Sequence, residues 1–265
     1  MLVGVTSSDL WDEATAQAFD DGGPMFAPET VDPAVDFLAR LAGEGPALEF
    51  AIGTGRIAVP LLARGVPVSG IELSQPMVDR LREKAPERGL PVVVGDMATA
   101  TVPGEFALVY VVWNSISNLR TQDEQVRCFA NAARHLAPGG RFVVELWVPQ
   151  LRRFPPGQTA VPFEVSDEHL GFDTLDLATQ QGTSHHYHRR DDGSVTYGAS
   201  NFRYIWPAEC DLMARLAGLE LEQRTADWAG APFTSDSENH ISVWRKPDHA
   251  VVGRRTARRA HDETP

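Results

Sequence analysis

From residue 47 onward the chain alternates short apolar runs with amphipathic stretches. Residues 47–52, 66–71, 91–94, 106–113 and 141–146 are apolar and bounded by turn residues, which predicts five strands. Residues 57–63 and 76–84 predict helices between them. A third helix opens with Thr121 and Glu124, spaced as a capping box, carries Val126, Phe129, Ala133 and Leu136 on one side, and stops at Pro138-Gly139-Gly140. Upstream, Asp32 followed by Pro33 reads as a helix cap and first helical residue. Val35, Leu38, Leu41 and Ala42 form the apolar stripe, and Gly43 ends it. Residues 8–19 read as a short polar helix, separated from this domain by Asp20-Asp21-Gly22-Gly23-Pro24.

Strands separated by single helices imply a parallel sheet, and the almost wholly apolar run 106–113 predicts its central strand, covered on both faces. The period changes to two after residue 149. Residues 172–180, 183–190 and 195–205 predict three antiparallel strands, the last two joined at Asp191-Asp192-Gly193. A helix over 207–217, closed by Gly218, precedes strand candidates at 219–228 and 240–245, the latter expected antiparallel at the sheet edge. The predicted fold is α/β: a doubly wound, mostly parallel, seven-stranded Rossmann-like sheet with an inserted antiparallel β cap. Its expected segments are an N-terminal helical lid (1–29), the core (30–148), the cap (149–206), a closing helix with the last two strands (207–247) and a disordered tail (248–265).

The 265 residues are 43% hydrophobic, enough for one large domain with an insert. No apolar run approaches the roughly 18 residues of a membrane span, and no basic-then-apolar leader opens the chain, so a cytoplasmic protein is expected. Cys128 and Cys210 fall in helical segments and read as reduced core thiols. The formal net charge of -12 opposes a nucleic-acid partner. The arginines at 254, 255, 258 and 259 read as a solvated tail. Neither nucleic acid nor membrane is therefore expected as a partner, and a homodimer stays open.

Candidate chemistry concentrates at Leu48-Glu49-Phe50-Ala51-Ile52-Gly53-Thr54-Gly55-Arg56, a strand entering a glycine turn before a helix. Gly53 and Gly55 permit backbone conformations closed to other residues, and the following helix end offers N–H groups to an anion. With Glu72 nineteen residues after Gly53, this turn alone also satisfies the dinucleotide fingerprint and does not separate NAD from another adenosine ligand.

Four further features resemble the class I S-adenosylmethionine-dependent methyltransferases, and the likeness covers residues 30–148. Glu49 stands four residues before Gly53, where that family places an acid beside the methionine end of its cofactor. Glu72, followed by Leu73 and by Ser74-x-x-Met77, stands where the family clamps the ribose and covers an adenine face. Gly95-Asp96-Met97 stands where it sets a carboxylate near the adenine amino group, although Asp96 also reads as a helix cap. Ala137-Pro138-Gly139-Gly140 matches the turn before the fifth strand. One position departs: Ala51 replaces a frequent glycine. The resemblance implies S-adenosyl-L-methionine as cofactor, held by Glu49, Ala51, Gly53, Thr54, Gly55, Glu72, Leu73, Met77, Asp96, Met97, Trp113 and Asn114. It implies methyl transfer to an oxygen or nitrogen of a small metabolite, in the manner of secondary metabolism. An NAD-dependent oxidoreductase and a cofactor-binding protein with a different chemistry are the rival readings.

In such a fold ligands lie beyond the carboxyl ends of the strands, so Trp113, Asn114, Glu145 and Trp147 are expected at the acceptor. Trp147 and Tyr204 read equally well as packing aromatics. Trp11, in Asp9-Leu10-Trp11-Asp12, resembles part of a leading helix that folds over the cofactor, and it also reads as that helix's anchor. Candidate bases are Glu145, His185, His186, His188 and Tyr204. On a strand His186 and His188 share a face and His185 opposes them; a polar cap surface accounts for the segment, and no metal is expected.

Overall fold

The run of apolar residues at 106–111 becomes strand β4 (Phe106–Val111), with every residue but one buried, and it lies at the middle of a seven-stranded sheet. The computed structural model describes residues 11–19 and 23–248. The expected start of the first helix at residue 8, the Asp9-Leu10 pair, the break at 20–22 and the tail from 249 lie outside them.

To one side of β4 stand β1 (Ala47–Phe50), β2 (Val68–Glu72) and β3 (Val92–Val94); to the other stand β5 (Leu136–Trp147), β11 (Asn239–Arg245) and β10 (Glu220–Thr225). All are parallel except β11, which runs antiparallel to both neighbours. The last strand is thus antiparallel as expected, but β10 takes the edge. Strand order reverses between β1 and β4, which places the ligand crevice of such sheets beside the glycine turn that follows β1.

Helices α2 (Pro28–Ala42) and α3 (Ala58–Ala63) cover one face of the sheet through Val35, Leu38 and Leu61, and α5 (Gln122–His135) and α6 (Pro207–Leu216) cover the other through Phe129, Cys210 and Met213. α4 (Gln75–Lys84) follows β2, and α1 (Glu13–Phe19) contacts it. The Thr121–Glu124 capping box forms with both of its bonds. Both cysteines are buried and unpaired.

Two local expectations need correction. α2 begins at Pro28, so Asp32-Pro33 lies inside the helix; Pro28 already supplies the preset φ of a first helical residue. The Pro138-Gly139-Gly140 segment continues into β5 and exchanges backbone bonds with Lys246 instead of forming a separate loop.

The inserted sheet has four strands where three are expected: β6 (Ala160–Val165), β7 (His169–Asp176), β8 (Gln181–Arg189) and β9 (Val195–Arg203), all antiparallel in sequence order. Its root is fixed to α5 and α6. Arg203, 4% exposed, donates to Gln125 Oε1 at 2.5 Å, Glu209 Oε1 at 2.7 Å and Gln180 Oε1 at 3.0 Å. Among the described residues no helix is long and apolar enough to cross a membrane.

Candidate active site

A cavity of about 810 Å³ lies over the carboxyl ends of β1, β2 and β4 and is roofed by the cap. The turn after β1 forms its floor. Gly53 adopts φ +56°, and a Cβ built there would meet nothing within 4 Å, so its bare backbone faces open space. Gly55, at φ +85°, differs: a Cβ there would fall 2.3 Å from Leu81 Cδ1, so this glycine lets the turn pack on α4 and does not line the cavity. Its expected place beside the ligand is corrected to a packing role one layer below. Ala51 reaches a left-handed φ of 54° without glycine and lines the cavity, as does Thr54.

Two buried carboxyls meet this floor. Glu49 and Tyr110 are register partners on β1 and β4, and Tyr110 Oη donates to Glu49 Oε2 at 2.9 Å. Burial pushes the Glu49 carboxyl up to about 8, against the opposing pull of the Tyr110 bond and of Arg56. Burial also raises Glu72, although its oxygens accept the Gly53 amide at 2.8 Å and the Ser74 amide at 2.9 Å. Glu72 therefore holds the glycine turn against the start of α4, where Ser74 caps the helix and its hydroxyl donates to the Trp11 carbonyl at 2.6 Å. Leu73, Met77, Asp96 and Met97 line the same end of the cavity. Asp96 also accepts the Ala98 amide at 2.7 Å, but residues 97–99 form a turn and no helix follows, so the expected helix cap is corrected to a turn contact beside the cavity.

At the other end, β4 runs into Trp113 and Asn114, both left-handed at φ 55° and 60°. For side-chain-bearing residues that conformation costs about 1 kcal/mol or more each. Three bonds across β4 and β5 hold it: Trp113 N–H to Glu145 Oε2 at 2.7 Å, Asn114 N–H to the Glu145 carbonyl at 3.3 Å, and Trp147 N–H to Asn114 Oδ1 at 2.6 Å. Glu145 also accepts Trp228 Nε1–H at 2.8 Å. It does not line the cavity. The expectation that it contacts the acceptor, or serves as its base, is corrected: both carboxylate oxygens are engaged in shaping the strand ends.

Trp11, Trp147 and Tyr204 do line the cavity. Trp147 packs edge-on against Phe202, and its buried Nε1, like the buried Ser117 Oγ, has no hydrogen-bond partner among the described residues. Of the candidate bases on β8, His186 lines the cavity. His185 faces away to Tyr197 Oη at 2.8 Å and Thr174 Oγ1 at 3.1 Å.

Arg56, Asp173 and His169 were not singled out from the sequence. Arg56 sits 4.6 Å over the Trp113 ring, and burial lowers its basicity while Glu145 and Glu49 counter. Asp173 on β7 lines the cavity and accepts Ser184 Oγ–H at 2.6 Å. Period-two alternation along β7 and β8 places Asp173, Ser184 and His186 on one face once the register is known; without the register that signal is silent.

A switch-point cavity with a bare-backbone turn and two deep carboxyls defines an adenosine-cofactor enzyme, and comparison with known proteins sets its class. Residues 47–140 match the family model described as a methyltransferase domain. The chain is 35% identical to the CcbJ methyltransferase from Streptomyces caelestis, whose structure superposes with a TM-score of 0.77 over 88% of this chain and 96% of that one. It is 26% identical over 249 residues, 90% of this chain and 98% of its relative, to the cypemycin N-terminal methyltransferase of a Streptomyces species. Over 47% of this chain and 52% of its relative it is 31% identical to the dTDP-3-amino-3,4,6-trideoxy-alpha-D-glucopyranose N,N-dimethyltransferase of Streptomyces venezuelae. The chain belongs to the class I S-adenosylmethionine-dependent methyltransferases. Its cofactor is S-adenosylmethionine, and the dinucleotide reading of the glycine turn is set aside.

Proposed function

We propose that the chain methylates an amine nitrogen of a small molecule of secondary metabolism. The observation that carries this reading is the cap face over the cavity: Asp173, steadied by Ser184, stands beside His186 where an acceptor would lie. A carboxylate wall attracts a cationic amine and gives a neutral hydroxyl much less. The named activities of the cypemycin and aminosugar relatives support the same atom.

The residues present suit the cofactor. Glu49, a buried acid held mostly neutral by desolvation, suits an ammonium group that restores its charge. Glu72 retains lone pairs for a ribose diol beyond its two backbone bonds. Gly53 leaves open space for close approach, with Ala51 and Thr54 beside it. Leu73, Met77 and Met97 offer apolar cover for adenine, with Asp96 for its amino group. Trp113 and Asn114 bound the methionine end. The cofactor supplies an activated methyl group for in-line displacement. The chain contributes alignment and exclusion of water. Glu145 fixes the Trp113-Asn114 corner, and Trp11, Trp147 and Tyr204 wall the acceptor space.

Incubation with methyl-labelled cofactor and a panel of aminosugar nucleotides, amino acids and peptide amines tests the reading. The expected result is label on nitrogen with matching S-adenosylhomocysteine release. Label found only on oxygen or carbon acceptors from a parallel panel would overturn it.

A further inference from the structure

Resting on the amine reading, we infer that His186 is the general base of the reaction and that His169 and Glu164 form a relay carrying the proton from the cavity to solvent. Three contacts make a continuous chain. His186 lines the cavity; its Nδ1 lies 3.0 Å from His169 Nε2; His169 Nδ1 lies 2.9 Å from Glu164 Oε2. His186 and His169 are both part-buried, the His169 side chain 14% exposed, and the chain ends at a Glu164 side chain 52% exposed.

The donors and acceptors fix the tautomers. The Glu164 carboxylate accepts only, so His169 carries its proton on Nδ1 and presents a lone pair at Nε2. His186 must then donate from Nδ1, which leaves its Nε2 lone pair free to accept. The ammonium proton of the bound acceptor passes first to His186 Nε2, and the freed amine lone pair then bonds to the methyl carbon as the carbon–sulfur bond breaks. The Nδ1 proton moves to His169 Nε2, and the His169 Nδ1 proton moves to Glu164. The products are the methylated ammonium ion, S-adenosylhomocysteine and one proton at the surface.

The surroundings favour this use. Burial, with His169 and His188 nearby, holds the His186 imidazolium below its ordinary range, so the ring is a neutral base at pH 7; Asp173 and Glu164 oppose the shift. The groups facing it are Glu164 and Phe163 from β6, His169 and Asp173 from β7, and His188 from its own strand; directly opposite stand Gly171 on β7 and Gly198 on β9. Nothing lies within 4 Å of a Cβ built at Gly198, which leaves room beside the ring. The His169 and His186 planes are within 8° of parallel, and those of His169 and His188 within 10°; one ring nitrogen of each of the three lies within 4.8 Å of the others, so a divalent cation would compete with the relay for the same lone pairs.

Two experiments test the relay on the full chain. In protein labelled with ¹⁵N-histidine, long-range ¹H–¹⁵N spectra at neutral pH should show His186 and His169 both as Nδ1–H tautomers, and Glu164→Ala should remove that preference at His169. An Nε2–H tautomer at His186 overturns the proposal. Kinetically, with the best amine from the panel above, His186→Asn should lower kcat about 100-fold at pH 7, within the range of general-base effects. The loss should disappear above the acceptor's own pKa, where the amine arrives unprotonated, with little change in KM for the cofactor. A pH-independent loss, or none, overturns the relay while leaving the amine reading intact. A panel without any methylated amine overturns both. Activity abolished by EDTA and restored by zinc would also overturn it.

Discussion

The Glu145 carboxylate accepts the Trp113 amide at 2.7 Å and so holds an aromatic residue in a left-handed backbone conformation, φ 55°. The second oxygen is occupied by Trp228 Nε1–H. In Glu145→Gln an amide nitrogen replaces one acceptor, so one of these N–H groups loses its partner. The expected cost is about 1–3 kcal/mol in urea unfolding. Weaker cofactor binding by calorimetry should accompany it, as Trp113 and Asn114 relax from the cavity corner. Unchanged values in both measurements would remove Glu145 from this role.

Glu49 couples pH to stability and to cofactor. Its folded value of about 8 lies above the ordinary 4.5, so its contribution to stability is complete below about 4.5 and is lost as pH rises through 8. Without cofactor, Glu49→Gln should melt like the unmodified protein at pH 5 and several degrees higher at pH 9. The same variant should bind cofactor at least tenfold more weakly. At pH 7, calorimetry in buffers of different ionisation enthalpy should register a fraction of a proton released on cofactor binding, and the variant should release none.

The two glycines of the turn should fail differently. Gly53→Val intrudes on open cavity and should fold yet lose cofactor binding, with added strain from its positive φ. Gly55→Ala meets Leu81 at 2.3 Å and should lower the melting temperature before binding can be assayed. Equal melting temperatures for the two variants would contradict the division of roles.

Arg203 and Glu209 are a nearly buried ion pair, their side chains 5% and 13% exposed. Glu209→Ala leaves the guanidinium with only the Gln125 and Gln180 carbonyls, and the expected loss is about 3–5 kcal/mol. Replacing both residues with apolar ones should recover part of it. Equilibrium unfolding of the two variants makes the comparison.

The core was legible because its signals are local. The apolar run of β4, the Thr121–Glu124 box and the spacing from Glu49 to Gly53 to Glu72 are each contained within one or two elements. β6 was missed because five of its six residues are exposed and Pro162 interrupts it, so it carries no alternation. Pro33 drew the start of α2 forward, since two prolines in one helix offer two plausible first residues. At the site, the glycine turn and its acids were readable, whereas Glu145's engagement by Trp113 and Trp228 joins residues 32 and 83 positions away in sequence. His169 reaches His186 through the β7–β8 register, which a single sequence does not display.

The knot at Arg203 has a consequence for how such an enzyme diversifies. Since the roof is tied at Arg203 to α5 and α6, whereas the glycine floor is held by Glu72 and α4, roof side chains can change while the bonds that shape the floor stay in place. Inheritance of the donor and choice of the recipient are thereby carried by separable stretches of one polypeptide.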